Sequence, residues 1–283
     1  MSPRPQRART SPRLLAVTLL CALAALPLGA FAQAAKPVAV VFAVNEGAST
    51  QVTGFELIGR YTPLARVVER VLGRPVKLEA YPETARFRAE LGNGRFDVIF
   101  GNTVDLLAGA VRDKTFHAVV KTKNPYVAGF ITAKDSPIRK PEDLRGKTIL
   151  LPEKVFTTKL AEAALRDLGI NESEVELQYT RLQEVVPHSV EIGSADVGVV
   201  NPAVKRQWER QGNPVLLESK PMPGRTIIAS ARFSQAELKR LRSVLVGLRR
   251  SAEGALALKA IGVPEFVPAT DAEYLELLKY IGE

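Results

Sequence analysis

Cysteine and histidine are almost absent: the 283 residues contain one cysteine, Cys21, and two histidines, His117 and His188. A disulfide framework needs paired cysteines, and a zinc site needs clustered Cys, His or carboxylate ligands at short spacing. Neither is available here. The sequence also lacks the G-x-S-x-G elbow, the H-E-x-x-H zinc helix and the G-x-x-x-x-G-K-[ST] phosphate loop, so no assembled nucleophile, metal centre or nucleotide cradle is expected. No catalytic residue, metal ligand or cofactor is assigned. Long apolar runs are confined to one place, Leu14 to Ala32.

That run follows Arg4, Arg7, Arg9 and Arg13 and ends on the small-x-small triplet Ala30-Phe31-Ala32. This is the pattern of a Sec-type signal peptide over residues 1–32, which directs the chain to the periplasm. Cys21 would leave with it, so the exported chain would carry no thiol into an oxidising compartment. The formal charge of +9 falls to about +5 without those four arginines, too mild for a nucleic-acid-binding stripe.

Beyond the leader, short β-branched runs alternate with helical patterns. "PVAVVFAV" from Pro37 reads as a buried strand. A helix is expected over Tyr61 to Gly73, with Thr62 as N-cap, Pro63 at its first position and Gly73 as its stop. Strands "PVKLEAY" and "FDVIFG", with helices over Pro82 to Gly94 and in "VDLLAGAVRD", continue a βαβα series that predicts a parallel sheet covered by helices on both faces. After "FHAVVKT" and a long strand over Tyr126 to Lys134, a second series begins with "KTILLPEKVFTTKLAEAALRDLG". From Gly224 on, one strand and several helices remain, which would return to cover the first unit. The expected fold is therefore α/β, two Rossmann-like lobes joined by a two-strand hinge. Residues 33–124 and 225–283 would form lobe 1 and residues 125–224 lobe 2, with crossings near Lys121 to Tyr126 and Ser219 to Arg225.

In open parallel sheets ligands bind beyond the carboxyl ends of the strands. Four polar segments fall there: "NEGAST" with Asn45, Glu46 and Ser49; "GNTVD" with Asn102 and Thr103; "PEKVFTTK" with Thr157 and Thr158; and "NPA" with Asn201. Any one of them could serve only as a helix cap. Together they point to one shared site. Thr157 and Thr158 at a helix N-terminus, with Lys154 and Lys159 adding positive field, suit a small oxyanion. Tyr81 and Tyr126 are candidates for the wall of the pocket. His117, His188 and Asp196 are read as structural.

Several segments carry a family resemblance. "Y.PLA..VE..LG..V" (Tyr61 to Val76), "ELGNGRFDVIFGN" (Glu90 to Asn102), "ITAKDSPIRKPEDLRGKTI" (Ile131 to Ile149) and "SVEIGSADVGVVN" (Ser189 to Asn201) resemble the periplasmic solute-binding proteins for phosphonate, phosphite and related oxyanions. The resemblance implies a type II, Venus-flytrap binding protein that delivers a phosphonate, phosphite or phosphate ligand to an ABC permease in the inner membrane, and a monomer. It places Thr157 and Thr158 where the family presents a Ser/Thr cluster, without the usual serine and glycine, and Gln183, near Arg181, where the family often has a histidine. A ligand sensor that partners a membrane kinase or other membrane complex, and an enzyme built on the two-lobe fold, are the other classes this architecture allows.

Overall fold

The structure, a computed structural model, describes residues 38–47 and 52–283. The leader at 1–32 and Ser49 lie outside the described residues. Among the described residues no helix is long and apolar enough to cross a membrane.

Eleven strands and nine α-helices in the described residues build two sheets. Sheet 1 contains β1 (Val40–Asn45), β2 (Val76–Ala80), β3 (Val98–Gly101), β4 (Phe116–Thr122), β10 (Thr226–Ser230) and β11 (Phe266–Pro268), in the order β11-β4-β10-β3-β1-β2. Sheet 2 contains β5 (Gly129–Ile131), β6 (Thr148–Pro152), β7 (Glu176–Thr180), β8 (Val197–Val200) and β9 (Val215–Glu218), in the order β7-β6-β8-β5-β9. Helices α1 (Gly54–Leu72), α2 (Thr84–Gly92) and α3 (Val104–Arg112) follow the first three strands of sheet 1. Helices α4 (Phe156–Asp167), α5 (Val185–Glu191) and α6 (Pro202–Arg210) follow β6, β7 and β8. Helices α7 (Gln235–Gly247) and α8 (Ala252–Ala260) pack on α1, and α9 (Asp271–Ile281) packs on both α3 and α4. Each sheet with its helices is called a lobe below.

The central strands are apolar on both faces because both faces are covered. Phe42 and Val44 of β1, Val98 and Phe100 of β3, and Ile227 and Ala229 of β10 enter one core beneath α1 and α7; Ala43, Ile99 and Ile228, one residue out of phase, enter the other. The period of two is the pleat itself, and burial on both sides turns it into a continuous hydrophobic run. The second core runs on through Phe130, Ile149, Leu151 and Leu160 of lobe 2, by way of Tyr274 and Leu277 of α9.

The sheets are mixed, which corrects the all-parallel expectation. β1 pairs in parallel with β2 and β3, and β6 with β7 and β8. β10, however, lies antiparallel between β3 and β4, and β5 lies antiparallel between β8 and β9. These are the two strands by which the chain first enters each lobe from the other. A strand arriving from the cleft must run away from it, whereas β2 to β4 and β7 to β9, reached through α1 to α3 and α4 to α6, run toward it; β11, which follows α7 and α8, pairs antiparallel with β4 at the edge.

Two local expectations also change. Helix α1 begins seven residues before Tyr61, at Gly54: Thr53 Oγ1 accepts from Glu56 N at 3.2 Å while Glu56 Oε2 accepts from Thr53 N at 2.8 Å, a reciprocal capping box. Pro63 therefore sits inside the helix, and the Thr62 hydroxyl donates to Ile58 O at 2.6 Å instead of capping. The long strand expected over Tyr126 to Lys134 shrinks to the three residues of β5, because its first part belongs to a crossing.

The two crossings are paired with each other. Tyr126 N donates to Met222 O at 2.8 Å and Met222 N to Tyr126 O at 3.0 Å, while Thr122 N donates to Arg225 O at 2.8 Å. Gly224 lies in this ribbon; a Cβ there would stand 2.4 Å from Thr122 Oγ1 and 2.7 Å from Asn124 O. Only glycine lets the two crossings approach so closely.

Candidate functional site

A cleft of about 420 Å³ opens between the carboxyl ends of the two sheets. Behind its lobe 1 side lies Asn45, which is fully buried. Asn45 Nδ2 donates to Tyr81 O at 2.7 Å, and its Oδ1 accepts from Gly47 N at 3.2 Å and Thr103 Oγ1 at 3.1 Å. One side chain thus ties together the ends of β1, β2 and β3. Glu46 lines the cleft with both carboxylate oxygens already engaged, by Tyr61 Oη at 2.6 Å and Arg60 Nη1 at 2.7 Å. Burial, and then the Glu46 charge, push the Tyr61 phenol well above its ordinary range, so it remains a donor. Asn102 Nδ2 donates to Glu46 O at 3.1 Å and holds the same loop.

The lobe 2 wall is the start of α4. The N-cap is Val155, which has no side chain to accept a hydrogen bond, so the expected hydroxyl cap is replaced by an open helix end. Among the described residues, no acceptor bonds the amides of Phe156 and Thr157. Thr157 is 1% exposed, and its Oγ1 lies 2.7 Å from Tyr126 Oη on the first crossing. Burial pushes the Tyr126 phenol up to about 12, which keeps it protonated. The paired hydroxyls therefore face the cleft with a proton to donate beside the positive end of a helix dipole.

Six of the nine ligand candidates line this cleft: Glu46, Asn102, Thr103, Tyr126, Thr157 and Asn201. Asn201 also caps α6, its Oδ1 accepting from Ala203 N at 2.9 Å and Val204 N at 3.1 Å, and its Nδ2 reaches Gln183 Oε1 at 3.3 Å. The other three, Asn45, Tyr81 and Thr158, are not among the residues that line it. Asn45 is the buried tie just described. Tyr81 packs against Phe87 and Phe96, with ring centroids at 6.0 and 5.1 Å, and gives its hydroxyl to Glu79 at 2.7 Å. Thr158 turns one residue further round the helix and gives its hydroxyl to Pro152 O.

Neither lysine is a free cation in the cleft. Lys154 borders it in a left-handed conformation (φ 55°), with its side chain out in solvent beside Glu153. Lys159 bridges the lobes: its Nζ is 2.5 Å from Asp105 Oδ2 on α3 and 2.6 Å from Glu283 Oε1 after α9. Burial draws the Lys159 ammonium down, but the two carboxylates outweigh it and the net shift is upward.

Sequence reasoning missed the cations that line the cleft with no carboxylate partner among the described residues: Arg88 on α2, Arg206 on α6 and Arg225 on the second crossing. Among the described residues Arg225 donates to two backbone carbonyls, Ile261 O at 2.9 Å and Gly262 O at 2.7 Å. The available signal was positional, since Arg88 lies one turn inside the helix that follows β2, and Arg206 one turn inside the helix that follows β8.

Two mixed α/β lobes, a double crossing and a polar cleft at the strand ends define a type II, two-lobed substrate-binding protein. The profile of the family described as "ABC transporter, phosphonate, periplasmic substrate-binding protein" matches residues 47–274. The chain belongs to that family. Solved structures with the same fold include XAC2383 from Xanthomonas citri bound to ATP (TM-score 0.68, 18% identity, 86% of this chain and 98% of that chain covered). PhnD1 from Prochlorococcus marinus in complex with methylphosphonate is also similar (TM-score 0.64, 14% identity, 86% and 98% covered). So is the periplasmic aliphatic sulphonate binding protein SsuA from Escherichia coli (TM-score 0.56, 17% identity, 86% and 84% covered). A search of curated proteins found no match. The family consists of transporter components that bind small molecules and work with a membrane permease; it is not a family of enzymes.

Proposed function

We propose that this protein captures a small phosphorus or sulfur oxyanion, of the phosphonate, phosphite or phosphate type, in the cleft and hands it to an ABC permease. One observation carries the reading: the open N-terminus of α4 with the buried Thr157 and Tyr126 hydroxyls at its mouth. Donors with no matching acceptor, in a shielded cleft, complement an oxyanion through charge-assisted hydrogen bonds. The titles of similar structures, one holding methylphosphonate and one a sulphonate binder, support the same ligand chemistry.

The mechanism follows from where the donors sit. Tyr126 belongs to a crossing and Thr157 to lobe 2, while Asn102, Thr103 and Arg225 face them from lobe 1 and the second crossing. A ligand touching both sides binds the closed form more tightly than the open one, and only that difference in affinity drives closure. Release to the permease reverses it. No bond in the ligand is made or broken.

Calorimetry with methylphosphonate, phosphite, phosphate and sulfate tests the proposal. At least one should bind below millimolar concentration, and Thr157→Val, which keeps the shape and removes the hydroxyl, should weaken it about 10- to 100-fold. If none of the four binds folded protein at millimolar concentration, the oxyanion assignment is wrong. If Thr157→Val binds unchanged, α4 is not the anion site.

A further inference from the structure

We infer that the ligand is an extended dianion: an organic phosphonate or phosphate ester whose carbon linker ends in a second anionic group, held at the rim by Arg88 and Arg206. This rests on the oxyanion reading above and specifies its substrate class.

The first observation is size. At about 420 Å³ the cleft lies within the range of roughly 300–1,000 Å³ that encloses drug-sized ligands. A single tetrahedral headgroup at the mouth of α4 leaves most of that space to solvent.

The second is the distribution of charge. Both carboxylates that line the cleft are already matched inside the protein, Glu46 by Arg60 with help from Tyr61, and Asp105 by Lys159. Three guanidiniums, on Arg88, Arg206 and Arg225, face the same space and have no carboxylate partner among the described residues. One headgroup at α4 does not account for all three.

The third is a polar group awaiting a partner. Thr84, the first residue of α2, lines the cleft, and its Oγ1 is shielded from solvent without a hydrogen-bond partner among the described residues. Buried hydroxyls are normally satisfied, so an unpaired one at a ligand cleft calls for an acceptor from the ligand. Arg88 lies four residues on, on the same face of the same helix. From the opposite lobe, Pro202 and Arg206 present the same spacing on α6. The rim thus carries a hydroxyl and a guanidinium from lobe 1 and a guanidinium from lobe 2.

These like charges come from lobes that must approach each other. With nothing between them, their repulsion opposes closure; an anionic group between them replaces it with charge-assisted hydrogen bonds to both sides. The lining also includes Leu106, Phe156 and Pro202, apolar surfaces suited to a short hydrocarbon linker.

The test is a matched pair of ligands, propylphosphonate and 3-phosphonopropionate, which differ by a terminal carboxylate, titrated calorimetrically into the wild-type protein and into Arg88→Ala, Arg206→Ala and the double variant. Both arginines are exposed, so the variants should fold, and unchanged thermal melting verifies it. The carboxylate should improve affinity about tenfold or more in the wild type, less in each single variant, and not at all in the double variant, while propylphosphonate, which leaves the rim repulsion uncompensated, binds no more weakly in any variant than in the wild type. Equal affinity for the two ligands, or an advantage that survives in the double variant, overturns the inference. If propylphosphonate and methylphosphonate bind and the second group adds nothing, this inference alone falls; if no phosphonate binds, the oxyanion reading falls with it.

Discussion

Lys159 should hold the closed form, and Lys159→Met isolates its charge while keeping most of the stem. Its ammonium lies 2.5 Å from Asp105 and 2.6 Å from Glu283. At an effective dielectric near 20, one such contact has a gross attraction of about 4 kcal/mol, from which desolvation must be subtracted. Exposed pairs net up to about 1 kcal/mol, and breaking a buried pair costs about 3–5 kcal/mol. The side chain of Asp105 is 9% exposed, that of Lys159 30% and that of Glu283 41%, so the cost falls between those limits, at about 1.5–3 kcal/mol, most of it from stranding Asp105. Because the pair joins α3 of lobe 1 to α4 of lobe 2, that energy is lost from the closed form alone. Methylphosphonate affinity should drop about 10- to 150-fold, and small-angle scattering at a methylphosphonate concentration that saturates the wild type should show a larger radius of gyration for the variant. Adding Asp105→Asn removes the stranded charge and should recover part of both effects, while Glu283→Gln alone should do little. Unchanged affinity and radius in Lys159→Met, or no recovery in the double variant, would refute the argument.

Gly224→Ala forces a methyl group into Thr122 and Asn124 and should separate the two crossings, lowering the melting temperature and weakening ligand binding together; normal values of both would show that the ribbon tolerates the bulk. Gly198→Ala meets Val186 Cγ1 at 2.7 Å and Val190 Cγ2 at 2.8 Å under α5, an overpacking expected to cost about 1–3 kcal/mol in denaturant melts without touching the cleft. The Arg95 guanidinium beside Glu79 holds that carboxyl down at about 2, against an ordinary value of 4.5. Its folded value is depressed, so its contribution to stability is present above about pH 4.5 and is lost as the pH falls from there toward 2. Glu79→Gln should flatten that limb of a melting-temperature profile, and superimposable wild-type and variant profiles would exclude the effect.

The α/β class, the alternation of elements and the strand ends that carry the cleft were legible because buried strands and amphipathic helices leave periodic traces. Strand direction was not. Nothing in "RTIIASA" says that Thr226–Ser230 runs antiparallel between β3 and β4; that depends on the chain entering from the cleft. The site divided along a similar line. Thr157 and Thr158 are adjacent and alike in sequence, yet the rotation of about 100° between successive helical residues sends the first hydroxyl to Tyr126 and the second to Pro152 O. Arg88 and Arg206 look like ordinary solvated charges on helices, and only the approach of two lobes makes them neighbours of one cavity. The C-terminal helices were expected to cover lobe 1, and α9 does so, but its contact with α4 depends on tertiary placement that no local pattern records.

The order of strands in sheet 1 sets a timetable for folding. β10 fills the place between β3 and β4, and β11 completes the edge beyond β4, so that sheet must wait for residues 226–268, more than a hundred positions after β4 has emerged. Sheet 2 is drawn from one uninterrupted stretch, residues 129–218, with shorter loops to close. The lobe encoded in the middle of the chain should therefore become protected first, leaving the host lobe unfinished. Pulse-labelled hydrogen exchange during refolding would reveal this as early protection of β6 and β8 and late protection of β4; simultaneous protection of all three would rule it out.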